Sequence, residues 1–246
     1  RRLEALLGPG PGVQRSGAFR RASGRNLTAA SSLAEEEAYP QLLADAQQAN
    51  AEQLRRALGL CAAGPVTDTR FWFFRSLSLA NSFLLDRVQS GCFQHPSWVL
   101  RLICAAHRYL ERNLIAAETP GGIPEMHWQS WLRATSQAAH WWPSPTRGAL
   151  HSIAKGSYLH VSEDFPRALA EIFSRHYSHR PGVTYDTFLD DWRAMSPAYD
   201  QVWTLIRPEL QLLLKPREQL QSALLPSGEK EVLSDEVLLG LPRERQ

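Results

Sequence analysis

His160 and Asp164 stand four residues apart in a His-Val-Ser-Glu-Asp run. On a helix that spacing puts an imidazole and a carboxylate on one face, one turn apart. Two chemistries suit such a pair. The carboxylate can orient the imidazole as a general base near neutral pH, or the two side chains can share a divalent metal ion. A metal needs at least a third donor; His107, His127, His140, His151, Glu125 and Asp86 are the candidates, none at a diagnostic spacing and none in an HExxH motif. His151 precedes His160 by nine residues, which on a continuous helix turns it about 180° away. Pro166 offers a competing structural role, because a helix that starts there makes Asp164 an N-cap accepting backbone N–H groups.

The neighbouring His140-Trp141-Trp142-Pro143 run sets aromatic surface beside an imidazole. With Tyr158 it is expected to form the wall of a pocket for a small apolar molecule. Eight tryptophans in 246 residues also suit the filling of gaps between helices. His176 and His179 are expected near a helix C-terminus, where the dipole favours cations. Asp190-Asp191 and Glu35-Glu36-Glu37 read as helix-start acids and a solvated face. The chain has no GxGxxG, Walker A or GxSxG motif and no specific nucleic-acid motif, so the common nucleotide-cofactor enzymes and serine hydrolases find no support.

The elements that must position these residues read as helices nearly throughout. Residues 34–58 are dense in Ala, Glu, Gln and Leu, with breaks expected at Pro40 and around Gly59 and Gly64. Phe71, Phe74, Leu77, Leu85 and Val88 define a largely buried helix over 69–88. A turn at 91–96 leads to another helix, with Ser97 as its expected cap and Trp98, Leu102, Ala105, Ala106 and Leu110 on one stripe. Helices are further expected over 125–142, over 146–163, from Pro166 through Tyr177, from a Thr187/Asp190 capping box through Trp192, and from Pro197 to about Leu214. Only Val183-Thr184-Tyr185 hints at a strand. The expected fold is all-α: a single multi-helix domain at 32–225, a basic Gly/Pro-rich arm at 1–31 and a polar tail at 226–246.

Composition agrees with that outline. Apolar residues make up 43% and charged ones 21%, enough to bury a core, and the formal charge of +2 disfavours a globally basic nucleic-acid binder. Six arginines of the arm face one acid, Glu4, around a Gly-Pro-Gly-Pro-Gly stretch that cannot continue a helix. No run approaches the roughly 18–20 apolar residues that span a bilayer. Cys61, Cys92 and Cys104 form no CxxC pair and read as buried, reduced thiols, and the arm lacks the apolar core of a secretion signal. The chain is therefore expected to be cytoplasmic.

Trp131-Leu-Arg-Ala-Thr-Ser-Gln-Ala-Ala-His-Trp-Trp-Pro143, followed by Gly156 and His160-Val-Ser-Glu-Asp164-Phe-Pro-Arg-Ala-Leu169, resembles an uncharacterised helical domain family found mainly in bacteria. There a tryptophan helix precedes a Gly-x-Asn-Ala-His-Ile-Asn-x-Asp-Leu segment. Phe71 to Tyr109 is similar to its paired helices joined by a Gly-x-Phe turn, and Thr187 to Pro208 to its Asp-Phe helix, so the likeness spans residues 71–208. It implies an all-α fold and points to His160 and Asp164. The two asparagines that flank the family's histidine are Tyr158 and Ser162 here, which removes the polar network they would support. The family's function is unknown. A His-x-x-x-Asp helix also occurs in zinc-dependent phosphoesterases, but their further histidines and N-terminal tryptophan ligand have no clear counterparts in this chain.

Two functions remain open on these grounds. One is a hydrolytic or tailoring enzyme acting on a small molecule, with His160 as base or metal ligand and Asp164 orienting it. The other is a helical module that binds an apolar molecule or a partner protein without transforming it.

Overall fold

Phe71-Trp72-Phe73-Phe74 puts bulky rings on every side of one helical turn, so that turn must be surrounded by other elements. All four are buried in the computed structural model, which describes residues 33–62, 68–136 and 145–211. The described residues form one all-α domain. Its helices are α1 (Leu33–Ala62), α2 (Arg70–Gln89), α3 (Pro96–Glu118), α4 (Met126–Ser136), α5 (Pro145–Leu159), α6 (Phe165–Ile172), α7 (Leu189–Met195) and α8 (Pro197–Gln211). Two π-helical turns, His160–Asp164 and Phe173–Tyr177, flank α6, and a 3-10 turn, Tyr185–Phe188, precedes α7. The expected arm at 1–31 and tail at 226–246 lie outside the described residues.

Helix α2 is the spine, packing against α1, α5 and α8. Its N-terminal rings join Trp128, Trp131, Leu150, Ile153 and Ile206 in one core. Leu84, Leu85 and Val88 near its other end join Phe93, Trp98, Leu102, Ile172 and Phe188 in a second. Gly156 lets α5 approach this spine closely, since a Cβ there would lie 2.5 Å from Cδ2 of Phe73. Arg75 ties α2 to α8 through a two-pronged ion pair with Glu209, at 2.7 and 3.2 Å.

Several local expectations are corrected. Helix α1 runs through both Pro40 and Gly59; Pro40 is exposed, so water can satisfy the carbonyl its ring leaves unbonded. Helix α3 begins at Pro96, the favoured first position for proline, which places Ser97 inside the helix rather than at its cap. Pro166 sits in the first turn of α6, as expected, but the π-turn before it joins α5 to α6 without a break. Asp164 accordingly caps nothing with its side chain. Thr187 accepts a hydrogen bond from the Thr184 N–H at 3.0 Å, so the polar cap lies one turn earlier than the Thr187/Asp190 pairing. Val183-Thr184-Tyr185 is not a strand. Of the cysteines expected to be buried, Cys92 is exposed in the turn after α2, and Cys104 is half-buried.

Candidate functional site

The His160–Asp164 turn closes with a hydrogen bond from the Phe165 N–H to the His160 carbonyl, one residue wider than an α-turn. Such insertions often sit at functional sites. Here the turn keeps both side chains inside the molecule: His160 is 3% exposed and Asp164 0%. His160 Nδ1 lies 2.8 Å from Asp164 Oδ2. A carboxylate only accepts, so the facing ring nitrogen carries the proton, and in the neutral imidazole Nε2 is then the one with the lone pair. Trp128 donates its indole N–H to the other carboxylate oxygen at 3.3 Å. The rings of Phe73 and Phe165 meet the imidazole edge-on.

A second imidazole approaches the same carboxylate. His127 Nε2 lies 3.5 Å from Asp164 Oδ1 and 3.7 Å from Glu125 Oε2, beyond good hydrogen-bond length, and is buried. Glu125 is gripped by Arg112 and Arg167. Burial pushes its carboxyl up, but the two guanidinium groups outweigh that and hold it below the usual range. No group of three His, Cys, Asp or Glu among the described residues is placed to share a metal ion. His151 is half-buried on α5 and does not join the pair.

His160 forms part of the wall of a cavity of about 290 Å³, which lies along the middle of α2. Phe73, Leu77, Ile153 and Val202 line it, and Trp192, Tyr199 and Trp203 are partly exposed at its rim. Its polar lining consists of His160, Asn81, Ser76, Ser157 and Ser196, besides the rim rings. Behind Asn81 a buried chain continues: its amide donates to Gln53 Oε1 at 2.7 Å, and Gln53 Nε2 meets His107 Nδ1 at 3.3 Å. Burial holds the His107 imidazole below its ordinary pKa, and nearby His160 adds to the effect.

The structure thus brings His160 and Asp164 together and puts the imidazole on a cavity. It does not bring Tyr158 there: that side chain is 70% exposed and is not part of the cavity wall. In a helix the residue two before His160 turns to a different face. His140, Trp141 and Trp142 lie outside the described residues. The tryptophans at the cavity are Trp192 and Trp203, which sequence reasoning passed over. No spacing signalled them, because they lie on separate helices, α7 and α8.

Sequence reasoning also missed a second buried pair. Asp191 begins α7 as expected of an acid, yet it is 2% exposed. Its carboxylate accepts from the backbone N–H of Gln94 and of His95, at 2.7 and 2.8 Å, and lies 2.8 Å from His95 Nδ1. It therefore caps α3 from 96 residues away. This pair does not line the cavity. The chain matches no protein-family model, no curated protein and no solved structure.

Proposed function

We propose that the protein is a small-molecule-transforming enzyme, hydrolytic or tailoring, in which His160 acts as general base on an apolar substrate held in the α2 cavity. One observation carries this: a carboxylate with no exposed surface fixes the far nitrogen of an imidazole that lines a cavity. Burying such a carboxylate is costly, and the hydrogen bonds from His160 and Trp128 offset that cost here. In this mechanism His160 Nε2 takes a proton from a substrate hydroxyl or from water. Asp164 then stabilises the imidazolium and keeps the ring in register.

The test is a panel of apolar esters, epoxides and phosphate esters assayed with the wild type and His160→Gln. Turnover that falls about 10²–10⁴-fold in the variant supports the assignment. Turnover retained in a folded His160→Gln protein removes it.

A non-catalytic binding module is the second reading, favoured by the mostly apolar lining and by the lack of a nucleophile bonded to His160 among the described residues. Ligand binding without turnover across the panel would select it. The likeness to the uncharacterised, mainly bacterial helical family remains part of this proposal, as does a cytoplasmic setting, which suits the free thiols Cys92 and Cys104. No helix among the described residues is long and apolar enough to cross a membrane.

A further inference from the structure

Apart from the Tyr199 hydroxyl and the Trp192 and Trp203 indole N–H groups at the rim, the polar groups of the cavity wall have spent most of their donor protons inside the protein. His160 Nδ1–H serves Asp164 at 2.8 Å, and one Asn81 amide N–H serves Gln53 at 2.7 Å. The Ser76 and Ser196 hydroxyls donate to the Phe73 and Arg193 carbonyls at 2.8 and 3.0 Å. What these inner residues have left is mainly acceptor capacity: Nε2 of a neutral His160, Asn81 Oδ1 and the serine oxygens, against one further Asn81 N–H and a Ser157 hydroxyl that can turn either way. No Lys, Arg, Asp or Glu lines the cavity among the described residues. An anion would meet no countercharge there and would sit near the buried Asp164 carboxylate. An ammonium would be desolvated without reaching that carboxylate, which His160 screens.

We propose that the cavity selects an uncharged, largely apolar molecule that donates a hydroxyl to His160 Nε2, an alcohol or phenol. The inference rests on the cavity being the ligand site and names the class of ligand that site accepts. At about 290 Å³ it suits a compact one.

Asp164→Asn supplies the decisive variant. Trp128 donates to Oδ1, so the new amide keeps its oxygen there and turns its N–H toward His160 Nδ1. The ring proton must then move to Nε2, and the wall changes from acceptor to donor. The experiment titrates five probes by ligand-observed NMR: naphthalene, 1-naphthol, 1-naphthoate, 1-naphthylmethylammonium and 1-acetonaphthone.

Wild type is expected to bind 1-naphthol about 5–10-fold tighter than the other four, the worth of one buried hydrogen bond. In Asp164→Asn the ketone should overtake the alcohol. Ala154→Trp, which plugs the cavity from its exposed wall, should abolish binding of all five. Equal affinities that Ala154→Trp abolishes, or a preference for naphthoate or the ammonium, overturn the ligand class and leave the cavity as the site. Binding that Ala154→Trp leaves intact, or no binding at all, overturns both. Should Asp164→Asn fail to fold, long-range ¹H–¹⁵N correlation of the wild-type imidazole reads the same point. A bare Nε2 supports the proposal and a protonated Nε2 overturns it.

Discussion

Gly156 and Phe73 are in contact so close that a methyl group on the glycine would lie 2.5 Å from the ring. That ring also packs on Trp128, Trp131 and His160, with centroid separations of 5.7, 5.1 and 6.3 Å. The absence of one side chain on α5 therefore sets how near α2 comes to the imidazole.

Gly156→Ala is consequently expected to destabilise. In an open helix the exchange gains about 1 kcal/mol; here it forces a buried ring aside, and a net loss of about 1–3 kcal/mol should appear as a lower urea midpoint. Adding Phe73→Leu should recover part of it. A midpoint at or above wild type would refute the contact.

His160→Ala should lower stability as well as remove the proposed base. It leaves the Asp164 carboxylate buried with Trp128 as its close hydrogen-bond donor, at a cost of roughly 3 kcal/mol. His160→Gln, whose amide can still donate, should lose less. Denaturation curves that rank the two variants the other way would contradict the pairing.

Asp191→Ala removes three hydrogen-bonding contacts at the head of α3, so a loss of about 3–5 kcal/mol is expected, with amide exchange rising first at Gln94 and His95. Unchanged protection at those two amides would show that the cap is unimportant.

Acid should weaken the fold through its histidines. Burial depresses the pKa of His107, His151 and His176, joined at His151 by Lys155 and at His176 chiefly by Arg101. Unfolded imidazoles titrate near 6.5, so below that pH the unfolded chain takes up protons first. The histidine contribution is whole above about pH 6.5 and is lost as pH falls through the lower folded-state values. Urea midpoints should drop between pH 7.5 and 5.5, and His107→Gln should flatten the slope. A midpoint that rises on acidification would reverse the assignment.

Cys92 and Cys104 should differ in reactivity. Burial raises the Cys104 thiol to about 11, whereas Cys92 is exposed. Mass spectrometry after brief iodoacetamide treatment at pH 8 should find Cys92 modified well before Cys104. Equal labelling would count against the burial of Cys104.

Residue periodicity alone determined that the described residues are helical, that Phe71 to Val88 is a buried helix and that His160 and Asp164 share a face, because a helix repeats every 3.6 residues and a pattern in sequence becomes a face in space. It also singled out the histidine and carboxylate as candidates for chemistry. Packing alone decided the rest. Pro166 does lie in the first turn of α6, but the π-turn before it made Asp164 a partner of His160 instead of a side-chain cap. Trp192 and Trp203 reached the cavity only when the chain folded α7 and α8 beside it, and Tyr158 turned to water. Asp191 found His95 across 96 residues. Local spacing encodes which side chains share a helix face, but contacts between distant segments depend on how those faces fit together, and no local period records that fit.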